Sequence, residues 1–134
     1  MKIKQILAKN CVLSHLTSTT KEGVLEELAG LIAQANPGLT REEIVQILKE
    51  REQLGSTGIG NGVAIPHGKL HSLQQIVTGF GRSLAGIDFE SQDGKPAHIF
   101  FVLLAPENAA SLHLKALARL SRLLKDLHFR NKLM

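Results

Sequence analysis

The chain has 134 residues, of which 43% are hydrophobic and 21% are charged, and its formal net charge is +4 at pH 7. We predict one domain over residues 1–134, since a chain of this length buries roughly two-thirds of its unfolded surface. We predict no membrane insertion, since no apolar run approaches the ~20 residues that cross a bilayer. Nucleic-acid binding is disfavoured, because the positive charges form no stripe and the chain lacks Trp and Tyr for stacking bases.

Two features near the N-terminus bear on the cellular compartment. The segment 1–4 is charged, and no continuous apolar segment or cleavage site follows it, so we predict no signal peptide. Cys11 is the only cysteine and cannot form an internal disulfide. Together these features favour a reducing, cytoplasmic setting.

The first half of the chain predicts one strand and two helices. The apolar group at 11–13 indicates a strand. A capping-box pattern at Thr19–Glu22 predicts a helix to about Gln34, where Asn36-Pro37-Gly38 ends it. A second capping box at Thr40–Glu43 predicts another helix. The apolar side of this second helix is expected to contain Ile44, Ile47, Leu48 and Leu54, with Gly55 as its C-cap.

The second half predicts strands at 63–65, 76–80 and 97–105, with a tight turn at Asp93-Gly94. Within the last of these strands, residues 99–104 are apolar without alternation, as expected of a central strand that is covered on both faces. A long helix is predicted over 109–127. Its apolar side is expected to contain Leu114, Leu117, Leu120, Leu124 and Leu127. This order predicts an α/β (α+β) fold, a three-layer α/β/α sandwich with a central mixed β-sheet.

The stretch 55–70, which reads G-S-T-G-I-G-N-G-V-A-I-P-H-G-K-L, holds five of the chain's twelve glycines. Its apolar run at 63–65 predicts a buried strand, and Pro66 biases the preceding residue towards an extended conformation. Gly68 discourages a helix around His67. We therefore expect His67 at the end of a buried strand. A neutral imidazole there is a competent nucleophile near pH 7, although a lone histidine is more often structural.

The stretch resembles the active-site signature of the sugar phosphotransferase system's IIA components of the fructose/mannitol class (EIIA type 2). Its T-G-I-G-N-G and A-I-P-H-G-K-L segments are most similar to the nitrogen-regulatory members of that class. Matching features run from about residue 2 to residue 134. The resemblance implies the same three-layer fold, and it implies that His67 is the phospho-acceptor, through Nε2. It also implies a further C-terminal helix that these 134 residues lack.

Two more residues match the resembled family. His113 lies in H-L-K-A-L-A-R-L, near the start of the last long helix, and its spacing with Leu117, Leu120 and Leu124 turns its ring towards the protein. It is either a hydrogen-bonded core histidine or, as the resemblance implies, a residue that hydrogen-bonds the phosphoryl group or orients His67. Arg51 either stabilises a helix C-terminus or supplies a guanidinium to phosphoryl oxygens.

The glycine-rich loop offers hydroxyl and backbone N–H groups that suit an anion, or it is simply a tight loop. The candidate phosphoryl-binding residues are Ser56, Thr57, Gly58, Gly60, Asn61 and Gly62. The spacing is neither a Walker A loop nor a Rossmann fingerprint, which excludes nucleotide binding. A zinc site formed by His67, His71 and His113 is disfavoured, because Pro66 and Gly68 oppose the helix that an i, i+4 pair requires. Ordinary structural or surface positions are expected for His15, His98, His128, Lys69 and His71.

The resemblance implies a cytoplasmic phosphocarrier that needs no cofactor or metal. The implied donor is HPr or an NPr-type carrier, which docks on a rim of apolar residues around a recessed His67. The output is either a regulated target protein, in nitrogen and potassium metabolism, or a IIB domain for fructose or mannitol uptake. A domain that has lost phosphotransfer and only binds partners is the remaining alternative.

Overall fold

The computed structural model describes residues 7–134, with side chains from residue 12 onward. Within these residues the chain forms six strands and four helices. In chain order they are β1 (Leu7–Leu13), α1 (Lys21–Ala35), α2 (Arg41–Gln53), β2 (Gly58–Gly60), β3 (Val63–Ala64), β4 (His67–Leu70), β5 (Val77–Ile87), β6 (Ala97–Pro106), α3 (Ala110–Leu124) and α4 (Leu127–Leu133). The predicted absence of a signal peptide concerns residues 1–4, which lie outside the described residues.

The strands form one mixed sheet in the order β1-β5-β6-β3-β2, with β4 also paired to β6. β1 is parallel to β5, and β5 is antiparallel to β6. β3 and β4 are both parallel to β6, on the edge opposite β5. β5 is longer than predicted, and the predicted turn at 93–94 lies in its connection to β6.

β6 is buried on both faces, which explains its apolar sequence without alternation. Phe100, Val102 and Leu104 pack in a core cluster with α1 and α2. Ile99 and Phe101 face the other way, in a cluster with residues of α3 and α4. The predicted three-layer sandwich with a central mixed sheet is confirmed.

The N-termini of α1 and α2 show one wrong prediction and one confirmed prediction. α1 is capped by Thr20, whose side chain accepts from the Gly23 amide (3.0 Å), and not by Thr19 in a capping box. Gly23 has no side chain that could return the bond, so a reciprocal box cannot form. The box at Thr40 is present, with Glu43 as its partner.

The predicted helix over 109–127 is wrong at its C-terminal end, since α3 ends at Leu124 and α4 is a separate helix. The side chain of Asp126 accepts from the His128 amide (2.9 Å) and caps α4, which explains the break. Leu114 and Leu127 are also exposed, against the prediction. Leu114 lies off the apolar side of α3 that Leu120 and Leu124 form, and Leu127 belongs to α4.

The chain reaches His67 through a short interruption between two strands on the same edge of β6. Val63 and Ala64 pair with β6, and His67 then begins β4 opposite Leu103. Pro66 lies between the strands, and its carbonyl accepts from the Leu103 amide (2.9 Å). His67 was expected at the end of a strand, and instead it begins the next one.

The helices of the described residues are too short or too polar to span a bilayer.

Gly68 lets helix α2 pack closely on β4. A Cβ at this position would lie 2.3 Å from Ile47 Cγ2, and Ile47 is β-branched and therefore stiff. We expect Gly68→Ala to lower the free energy of unfolding by about 1–3 kcal/mol, measured by urea denaturation. Gly30→Ala is the control, because its Cβ would meet only ordinary contacts at 3.7 Å and should stabilise α1 by about 0.5–1 kcal/mol. Equal stability of Gly68→Ala and the wild type would contradict the close packing.

Candidate functional site

His67 is half-buried at the start of β4, and the protein contacts both nitrogens of its ring. Nδ1 lies 2.8 Å from the Ile65 carbonyl oxygen, which can only accept, so Nδ1 carries the proton. Nε2 lies 3.2 Å from Arg51 Nε, which can only donate. The neutral ring therefore has its lone pair on Nε2, the nitrogen that is available for attack.

Arg51 comes from the last turn of α2, and two of its nitrogens are engaged. Its Nε donates to His67, and its Nη1 donates to the Gly55 carbonyl (2.9 Å). The second contact also satisfies a backbone carbonyl just beyond the C-terminal end of α2. It agrees with the alternative predicted from the sequence, in which Arg51 stabilises the helix C-terminus. The same contact holds the guanidinium beside His67 Nε2.

His113 comes from the first turn of α3 and lies next to His67. The two ring centroids are 5.4 Å apart, with an interplanar angle of 77°. His113 is buried, and its Nε2 has no hydrogen-bond partner among the described residues. Buried polar atoms are rarely left without partners, so this nitrogen has unused hydrogen-bonding capacity beside His67.

The pKa of both histidines is lowered from the ordinary value of 6.5. At His67, burial is the largest cause of the lowered pKa. The hydrogen bond to the Ile65 carbonyl raises the pKa, the charge of Arg51 lowers it, and the charge of Glu52 raises it. Burial is also the largest cause at His113, and the charges of His67 and Lys69 add to the lowering. Both rings are therefore biased towards the neutral form, which is the nucleophilic form for His67.

An open cleft of about 550 Å³ lies over the two histidines, between α2, β4 and α3. It is lined by Ile47, Glu50, Arg51, Leu54, His67, Gly68, Lys69, Glu107, Ala110, His113, Leu114 and Leu117. Leu54, the C-cap residue of α2, is 84% exposed. Leu114, on α3, is 67% exposed. Leu54 was predicted on the apolar side of α2, and its position on the rim corrects that prediction.

The glycine-rich loop does not line this cleft. The Ser56 hydroxyl donates to the Phe89 carbonyl (2.7 Å), and the Asn61 amide donates to Asp93 Oδ2 (3.0 Å). Gly60 and Asn61 have positive φ, as a tight turn requires. These contacts favour the tight-loop alternative, and a phosphoryl-binding role for Ser56, Thr57, Gly58, Gly60, Asn61 and Gly62 stays a prediction.

Sequence reasoning missed Glu52, a buried carboxylate directly after Arg51. Its side chain is 6% exposed and lies 3.0 Å from Lys21 Nζ. It also accepts from the amide and the hydroxyl of Thr57. A signal was present, because an acidic residue in the last turn of a helix is electrostatically unfavourable unless other groups compensate it.

The remaining histidines do not line the cleft. His71 is exposed and pairs with Glu107 (3.2 Å), and Lys69 is exposed on the cleft rim. His98 is half-buried, and its Nδ1 lies 3.0 Å from the Ser83 carbonyl oxygen. The described residues contain no group of three or more His, Cys, Asp or Glu that could hold a metal ion.

The chain is similar to known proteins of one family. The family model of the phosphoenolpyruvate-dependent sugar phosphotransferase system, EIIA 2, matches residues 5–134. The chain is 45% identical over 133 residues to a nitrogen regulatory protein of Bradyrhizobium diazoefficiens, covering 99% of this chain and 86% of that protein. It is 40% identical to the fructose-specific EIIABC component of Bacillus subtilis, covering 100% of this chain and 21% of that longer protein.

A crystal structure of the nitrogen regulatory protein IIA-Ntr from Neisseria meningitidis is also similar. The TM-score is 0.92 and the sequence identity is 35%, over 98% of this chain and 90% of that chain. At this similarity the two chains have the same fold. The single-domain organisation stays a prediction.

We expect NMR titration of the ring protons to give pKa values below 6.5 for both His67 and His113. In His67→Gln, the pKa of His113 should rise part of the way to 6.5, because one charge is removed while burial remains the larger cause. A pKa of His113 that falls or stays constant in this variant would contradict electrostatic coupling of the two rings.

The same pKa shifts predict a loss of stability in mild acid. The unfolded state binds protons near pH 6.5, before the folded state does, so the contribution of these rings is fully present above about pH 6.5. It is lost as the pH falls through the lowered pKa values of the folded protein. The urea midpoint should therefore be lower at pH 5 than at pH 7, and His113→Leu should reduce that difference.

Proposed function

Because the chain belongs to the EIIA type 2 family of the phosphoenolpyruvate-dependent sugar phosphotransferase system, whose domains are phosphotransfer components, we propose that it is a phosphocarrier. His67 accepts a phosphoryl group from a phosphohistidine of HPr or an NPr-type carrier. The observation that carries this proposal is the pair of contacts on the His67 ring. They leave the lone pair on Nε2 and place a guanidinium next to it.

In the transfer step, the N–P bond of the donor histidine breaks as the bond from phosphorus to His67 Nε2 forms. His67 keeps its Nδ1 proton, and the Ile65 carbonyl stabilises the positive charge that develops on the ring. Arg51 Nε donates to the Nε2 lone pair before the reaction, and this bond is replaced by bonds to the phosphoryl oxygens. The step needs no nucleotide, metal or other cofactor.

The neighbouring groups contribute position and charge, as in other phosphoryl transfers. The forked donors of Arg51 match the geometry of phosphoryl oxygens. The Nε2 of His113, which has no hydrogen-bond partner in the part of the chain that the structure describes, supplies a further donor or acceptor next to the acceptor ring. Because His67 is half-buried and His113 is buried, these interactions are stronger than they would be in water.

The output that we propose first is regulatory, in nitrogen or potassium metabolism, through a target protein that binds according to the phosphorylation state. It is supported by the 45% identity to a nitrogen regulatory protein. The second candidate is transfer to a IIB domain for fructose-type or mannitol-type sugar uptake, supported by the 40% identity to a fructose-specific component. Both outputs use the same acceptor, in a cytoplasmic setting.

Phosphorylation tests the proposal directly. We expect the protein to gain one acid-labile phosphoryl group when it is incubated with phosphoenolpyruvate, Enzyme I and HPr, or with their nitrogen-branch paralogues, measured by intact mass. His67→Ala should abolish the gain, whereas the matched control His128→Ala, at an exposed position on α4, should retain it. The preferred donor set and transfer to a purified fructose-type IIB domain would separate the two outputs. A folded wild type that takes no phosphate from either set would leave only the interaction-domain alternative.

The exposed leucines of the cleft rim predict the donor's docking site. We expect Leu54→Asp to raise the KM for the phosphorylated donor by about tenfold or more with little change in kcat, because it removes apolar contact without touching the reacting atoms. Leu84→Asp is the control, since Leu84 is 58% exposed on β5 and does not line the cleft. An equal effect of the two substitutions would contradict docking at the rim.

A further inference from the structure

We propose that Glu52 is a positioning residue for His67, and that it acts through Thr57 on both ring nitrogens. The inference rests on the proposed function only in that His67 is taken as the phosphoryl acceptor. Glu52 does not line the cleft, so it acts through other residues. Its side chain is 6% exposed and contacts Lys21 of α1 and Thr57 in the loop that joins α2 to β2.

Every contact of the Glu52 carboxylate fixes it in place. Oε1 accepts from Lys21 Nζ (3.0 Å) and from the Thr57 amide (3.0 Å). Oε2 accepts from the Thr57 hydroxyl. Thr57 is itself buried, so the carboxylate and the threonine form a bidentate contact between the end of α2 and the beginning of β2. We call this contact the Glu52–Thr57 pair.

One hydrogen-bonded path leads from the Glu52–Thr57 pair to His67 Nδ1. The Thr57 carbonyl accepts from the Ile65 amide (3.0 Å). The Ile65 carbonyl in turn accepts from Nδ1 (2.8 Å). The carbonyl that fixes the protonated nitrogen of His67 thus belongs to a residue, Ile65, whose amide is bonded to Thr57, the residue that Glu52 anchors.

A second path leads to His67 Nε2. Gly55 lies two residues before Thr57 in the same short loop, and its carbonyl orients Arg51 through Nη1 (2.9 Å). The Nε of that guanidinium donates to His67 Nε2 (3.2 Å). Gly55 has φ +146°, a conformation that favours glycine. Because Gly55 is only two residues from Thr57, anchoring Thr57 also restricts the position of the Gly55 carbonyl, which orients Arg51.

The negative charge of Glu52 also contributes to the site, because it pairs with Lys21 and affects the pKa of His67. Lys21 is 10% exposed, also pairs with Glu90 (3.2 Å), and lies 4.8 Å from the centroid of the Phe89 ring. Because Lys21 is fixed by these groups, a neutral side chain at position 52 would leave a buried cation without its closest partner. The Glu52 charge also opposes Arg51 at His67, raising the pKa that Arg51 lowers.

The test compares the full chain with three variants by NMR of ¹⁵N-labelled histidine rings, without phosphate. In the wild type we expect the Nδ1–H form of His67. Glu52→Gln and Thr57→Val should populate the Nε2–H form, because the path through Ile65 is loosened. Thr57→Ser keeps the hydroxyl and should restore the wild-type spectrum. The rate of phosphoryl uptake should fall about tenfold or more in the first two variants only, as expected for a small misplacement of a reacting group.

The matched control is Glu42→Gln, which neutralises an exposed carboxylate on the same helix. It should match the wild type in both measurements. If Glu52→Gln fails to fold, the comparison of Thr57→Val with Thr57→Ser tests the same path. Variants that lose stability but keep the His67 tautomer and the uptake rate would overturn the proposal and leave Glu52 purely structural. A wild type that takes no phosphate would defeat the proposed function, while the ring spectra would still test the positioning.

Discussion

The hydrogen bond from His67 Nδ1 to the Ile65 carbonyl, 2.8 Å long, is the constraint on which the site depends. It joins a ring to the backbone two residues earlier, across the bend at Pro66. The strands on either side of that bend lie along the same edge of β6, and the Pro66 carbonyl is bonded to the Leu103 amide. The His67 ring is therefore held relative to the central strand by contacts with the backbone, which is itself paired to buried β6.

The three-layer fold explains why the other side chains meet at this ring. α2 and α3 pack on opposite faces of the sheet, so their side chains can meet only beyond the edge of the sheet. β4 is at that edge, and Gly68 allows α2 to approach it. Arg51 and His113 consequently reach His67 from opposite layers. The remaining, open side is the cleft.

The sequence was sufficient for the fold class and for the helix that Thr40 caps, because both depend on local patterns, but it placed His67 at the end of one strand and not at the start of the next. It also showed that His113 turns inward, from its spacing with the apolar residues of α3. It could not show the Glu52–Thr57 pair, since that contact depends on how a loop returns past a helix end. Leu54 was wrongly predicted to lie on the apolar side of α2 for a related reason. Helical periodicity does not indicate at which residue a helix stops packing against the rest of the protein.

The site inverts the usual distribution of polar and apolar groups. Glu52 and His113 are buried, while Leu54 and Leu114 are exposed on the rim. Buried charged pairs contribute little net stability, and buried histidines pay for their lost hydration, so packing alone gives no reason for this arrangement. A polar interior beneath an apolar rim is instead what phosphoryl transfer between two proteins requires. In the phosphocarrier function that we propose, the rim would bind the partner and exclude water, and the fixed polar groups would then act on the phosphoryl group without rearranging.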